Sequence, residues 1–194
     1  MLDVNQTKSF RVVANEIPFE HEHKSKIHDT FFATSDYYKK NPHAGACHLI
    51  SSVFHVLLKE QGIENDLCIG EVTYHNHKFF DHSWIEIDGK VFDIAIQLTL
   101  QNEVNPTVYA GYDLYTEKPV ERVYGTVSSV GFDAIGKHVL ETSFVKYMDA
   151  YPNFKEGAWK QVKLIGSDLR LKFDLQELPK RYANTQRKLI SDRK

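Results

Sequence analysis

The chain has only two cysteines, Cys47 and Cys68, in 194 residues. That is too few for the disulfide framework of a small secreted domain, and it makes a reducing cytoplasm the default setting. No apolar run approaches the roughly 18 residues that a membrane span needs. The opening MLDVNQTKSFRVVANEI has neither the basic start nor the continuous apolar stretch of a secretory signal, so nothing in it indicates export. Six prolines and ten glycines exclude collagen-like and low-complexity chains. A net charge of -2 argues against nucleic acid as the main partner. What is present is ordinary globular material: 42% hydrophobic, 26% charged and 12% aromatic residues. The length fits one domain over 1–194, with elaborations, better than two. Ten histidines stand out.

The charge is unevenly placed. Residues 1–157 hold 14 Lys/Arg against 22 Asp/Glu, whereas 158–194 hold 10 against 4. The basic ending KRYANTQRKLISDRK reads as a solvated helix or frayed terminus, with contact to an acidic partner or to the protein's own acidic body as the alternative. No internal repeat or linker breaks the chain. EHEHKSKIHD, near the start, is polar enough for a connection, and Ser35–Lys40 reads as a short helix that stops before Pro42. The clearest element is NPHAGACHLISSVFHVLLKEQG. Its apolar residues Ala46, Leu49, Ile50, Val53, Phe54, Leu57 and Leu58 recur at helical spacing, and Gly62 suits a C-terminal cap. The helix is expected to bury one stripe. Cys47 lies within about 20° of Phe54, at the margin of that stripe and in the first turn. His48 points about 100° away and is expected in solvent.

After Gly62 the period becomes two. Residues 67–74, 79–87 and 90–98 read as strands, rich in β-branched and aromatic residues, and Asp88-Gly89 signals a tight hairpin. With those two residues as the loop, Ile87 pairs with Lys90, Glu86 with Val91, Ile85 with Phe92 and Trp84 with Asp93. His82, Trp84 and Asp93 then share one face, with His82 diagonal to Asp93, close enough for an imidazole–carboxylate hydrogen bond. Such a carboxylate fixes the tautomer and leaves the other ring nitrogen for proton transfer. Cys47 is the candidate nucleophile, because a helix N-terminus and a nearby imidazolium both favour the thiolate. Later, VYAGYDLYTEKPVERVYG would add one or two strands in which the tyrosines pack, and FDAIGKHVLETSFVKYMDAY reads as helix broken near Thr142. His75 and His77 sit at a strand connection. With Asp81, Cys68 or His82 they would make a zinc site of no recognised spacing, and the site carries no metal assignment.

A cysteine opening an amphipathic helix, then His82-Ser83-Trp84-Ile85-Glu86, a short turn and Asp93, resembles the transglutaminase-like superfamily, a branch of the papain-like cysteine protease fold. The matching span runs from about Asn41 to Gln97. The separation of 11 between His82 and Asp93 is similar to that of compact bacterial members such as lasso-peptide leader proteases. Asp93 is followed by Ile94-Ala95 where the family commonly has Asp-Pro. The resemblance implies an α+β fold: a core near 41–97 with the catalytic helix packed on an antiparallel sheet, and a C-terminal elaboration with additional helices over about 105–194. It implies Cys47, His82 and Asp93 as the catalytic residues, with Asn41 or His43 as oxyanion side chains and Trp84 in support. The implied chemistry is peptidase- or amidase-type hydrolysis needing no cofactor. The alternatives are an acyltransferase resembling arylamine N-acetyltransferases, or an inactive binding protein on the same scaffold. The expected partner is a peptide, protein or small amide or acyl substrate, with no nucleic acid and no membrane.

Overall fold

The first turns of the structure are made by helices. Ser9 accepts a hydrogen bond from the Val12 N–H and starts α1 (Phe10–Glu16), and α2 spans Lys24–Lys40. In this computed structural model the described residues are 8–43, 45–74, 78–97 and 105–192. The polar stretch expected as a connection thus already contains the start of α2. Ile27, Phe31 and Phe32 face the core there, at a helical spacing that the surrounding charges conceal. The helix stops at Lys40, as the proline at 42 requires.

The third helix, α3 (Cys47–Lys59), is buried on every side from Cys47 to Leu58. This corrects the expected single stripe: the sheet covers one side, and α2 and α6 (Trp159–Asp168) cover others. Gly62, at φ 75°, lets the Ile63 N–H return to the Leu58 carbonyl at 3.1 Å and closes the helix as expected.

Three antiparallel strands follow: β1 (Asp66–Tyr74), β2 (Lys78–Ile87) and β3 (Lys90–Phe92). Asp88 and Gly89, at φ 50° and 71°, make the tight turn, and the pairs Ile87–Lys90, Glu86–Val91 and Ile85–Phe92 form. The third strand is shorter than expected. Asp93 leaves it to bridge Val108, and Ala95–Gln97 is a 3-10 turn, capped by the Asp93 carboxylate accepting from the Ile96 N–H at 3.1 Å. Leu98, which would have ended that strand, and His75 and His77 lie outside the described residues.

Beyond Pro106 come β4 (Val108–Tyr109), β5 (Tyr112–Asp113) and β6 (Tyr124–Thr126). The helices α4 (Ala134–Glu141) and α5 (Phe144–Asp149) break at Thr142, where Ser143 caps the second; α7 is Leu178–Arg181. Among its described residues the basic ending is helical only at Lys180 and Arg181, the close of α7. Lys188–Ile190 form β7, parallel to β1, and Lys188 and Arg181 pair with Asp66 and Glu60 of the acidic body. The main sheet runs β3-β2-β1-β6, with β7 also on β1. Helix and antiparallel sheet together make the fold α+β. Among the described residues no helix is long and apolar enough to cross a membrane.

One glycine shows how closely the sheet is drawn together. Gly70 lies opposite His82 in the β1–β2 register, and a Cβ there would stand 2.5 Å from the Ile190 carbonyl and 2.9 Å from the Trp84 ring. Gly70→Ala should therefore lower stability by about 1–3 kcal/mol, read as a lower denaturant midpoint.

Candidate active site

Cys47 opens α3, and Ala46 before it offers no capping side chain, so no N-cap side chain takes up the N–H groups of the first turn. Two histidines meet the thiol. His82 arrives from β2 and His48 is its own neighbour on the helix, and both are near enough to act on it electrostatically. Burial pushes the Cys47 thiol up, but the charges carried by His48 and His82, and their hydrogen bonds, outweigh burial and hold it well below its usual value. Burial likewise opposes the charged form of His82. The Asp93 carboxylate and the Cys47 thiolate overcome that and raise its pKa. Both shifts favour the thiolate–imidazolium form of the pair.

Asp93 is fully enclosed and its Oδ2 lies 2.8 Å from His82 Nε2, which leaves Nδ1 as the ring nitrogen not held by the carboxylate. The same oxygen accepts from the Tyr124 hydroxyl at 2.8 Å. With the Ile96 N–H on the other oxygen, the buried carboxylate has three hydrogen bonds, and a buried charge needs such partners to be tolerated. Trp84 stands behind this group. Its indole N–H donates to Glu86 at 2.9 Å, and its ring meets the Tyr124 ring edge-on at 5.1 Å.

The structure brings Cys47, His82 and Asp93 together and sets Trp84 as a brace. It does not bring Asn41 to them. The Asn41 carboxamide is exposed and donates to the Tyr37 carbonyl at 2.9 Å, ending its own helix. His48 departs from expectation as well: it is buried, with Nδ1 2.7 Å from the Ser83 hydroxyl, because β2 crosses the helix start on the side assumed to be open. Tyr124 had no signal in the sequence, lying 31 positions from its partner in a run of tyrosines that reads as packing. Tyr38, from the end of α2, is near enough to feel both Cys47 and Asp93; burial, then those charges, pushes its hydroxyl up to about 12.

Residues 16–102 match the family model of the transglutaminase-like superfamily. The transglutaminase-like span holds Cys47, His82 and Asp93, and its members are usually cysteine enzymes on a papain-like fold. Tyr124 and all of α4 to β7 lie beyond the transglutaminase-like span. No curated protein and no solved structure matches the chain. Among the described residues, no group of three or more His, Cys, Asp or Glu is placed to hold a metal ion.

Proposed function

We propose that the chain is a cysteine-dependent hydrolase of amide or related acyl bonds. The observation that carries this reading is the buried thiol of Cys47 set against His82, which is itself held 2.8 Å from Asp93. The Cys47 thiolate attacks the carbonyl carbon, and the first-turn N–H groups of α3 receive the developing oxyanion. His82 gives its proton to the leaving amine as the C–N bond breaks, forming a thioester on Cys47. Water then attacks the thioester. His82 takes its proton, the C–S bond breaks, and the carboxylic acid and the thiolate are restored. Asp93 keeps the ring oriented through both halves and stabilises the imidazolium each time it forms. The substrate class is a peptide, protein or small acyl compound, and the scheme calls on no cofactor.

The reading is tested with p-nitrophenyl acetate. A burst of p-nitrophenol should accompany transfer of one acetyl group to Cys47, seen by intact mass, and both should vanish in Cys47→Ala. His82→Ala should slow acylation by about 10²–10⁴-fold. Absence of acetyl-Cys47 would overturn the proposal. Preferential loading from an acyl thioester, with discharge to an arylamine rather than to water, would move it to the transferase alternative.

A further inference from the structure

A cavity of about 220 Å³ lies against the start of α3, between the end of α2 and the first turn of α6. Its wall includes Ala46 and Ile50, which flank Cys47 on the helix, and the rings of Tyr37, Tyr38, Tyr151 and Phe154. Among the described residues that line it, none is Lys, Arg, Asp or Glu. One buried polar atom there is left without a partner. Gln161, at the start of α6, is 3% exposed, and its Oε1 has no hydrogen-bond partner among the described residues. Buried carboxamides are ordinarily satisfied, and one that is not calls for an occupant.

We infer that this cavity is a substrate subsite for a tyrosine side chain, or an equivalent phenol, beside the acyl carbonyl attacked by Cys47, with Gln161 as its specificity-determining residue. The inference rests on the hydrolase reading for the word substrate, but on the cavity alone for the ligand. Four aromatic rings favour a flat ring in edge or offset contact. With no Lys, Arg, Asp or Glu in the described lining, a carboxylate, ammonium or guanidinium would be stripped of water without an ion-pair partner of those types. Rotation about the last bond of Gln161 presents either its oxygen or its NH2, and a phenol hydroxyl both donates and accepts, so it satisfies either orientation. Phenylalanine would fill the same space and leave the carboxamide unpaired. Alanine would leave the rings uncovered.

Binding is read by ligand-detected NMR on the Cys47→Ser protein, so that no reaction is needed. N-acetyl-tyrosinamide should bind about five- to tenfold more tightly than N-acetyl-phenylalaninamide, the worth of one neutral hydrogen bond. N-acetyl-alaninamide should bind more weakly than both. In Gln161→Met, of similar length and without the amide, the tyrosine-to-phenylalanine ratio should fall to about one. On the unmodified chain, N-acetyl-tyrosinamide should slow alkylation of Cys47 by iodoacetamide. Equal affinities for the three amides would overturn the inference, as would a tyrosine preference that survives in Gln161→Met. Should that variant not fold, the tyrosine–phenylalanine comparison on the parent protein decides. Selective binding without acylation of Cys47 would remove the hydrolase and leave the subsite; acylation without selective binding would do the reverse.

Discussion

Iodoacetamide at pH 6 is expected to alkylate Cys47 on the order of ten- to a hundredfold faster than a free thiol. A free thiol with a pKa of about 8.5 is less than ~1% thiolate at that pH. The two histidines around Cys47 favour its thiolate. The gain is smaller than the ratio of thiolate fractions because a less basic sulfur is a weaker nucleophile. Cys68 serves as an internal control: it is fully buried within β1 and should be labelled only after denaturation. His48→Ala and His82→Ala should each remove a large part of the acceleration, since both rings hold the thiol down. Mass spectrometry of the labelled peptide separates the two sites. A Cys47 rate at pH 6 no greater than that of a free thiol would sink the thiolate assignment.

Asp93→Ala should cost about 3–5 kcal/mol of unfolding free energy, the usual toll of breaking a buried charged pair. Its removal deprives the Ile96 N–H and the Tyr124 hydroxyl of their shared acceptor and leaves a buried imidazole facing no carboxylate. Tyr124→Phe deletes one hydrogen bond to a charged group and should cost about 1.5–3 kcal/mol. The same pair predicts a pH profile. His82 is raised in the fold, so its contribution is complete below its ordinary value of 6.5 and is lost as the pH rises through the folded value. Cys47 is lowered, so its contribution is complete above its ordinary 9.0 and is lost as the pH falls. Between these limits folding moves a proton from sulfur to nitrogen with no net uptake. The stability owed to the pair should therefore be flat from about pH 6.5 to 9 and decline on both sides. Denaturant unfolding across that range, compared with Cys47→Ser, measures it.

Much of the site was legible because its signals are local. The two-residue turn at Asp88-Gly89 sets the register of β2 and β3, and alternation along β2 places His82 and Trp84 on one face. Asp93 reached His82 as expected, though by a different route: it sits just past the end of β3, held by Val108 and its own 3-10 turn. What stayed hidden depends on distant chain. His48 is buried because β2 crosses it, and Asn41 is diverted because a helix end needs a cap. Tyr124 matters only once β6 is laid beside β1. The basic ending misled for a related reason. The strand over Lys188–Ile190 is three residues long, too short to stand out without the partner that creates it.

The position of β7 has a consequence for the order in which the molecule is assembled. The ion pair from Lys188 to Asp66 joins positions 122 apart, so β1 gains that neighbour only after nearly the whole described chain has been synthesised. Cys47, His82 and Asp93 have all emerged by then, and Tyr124 soon after them. Contacts this remote in sequence close late. The nascent chain thus carries its nucleophile through a long interval in which Cys68, Ile69 and Gly70 of β1 still lack their β7 neighbour.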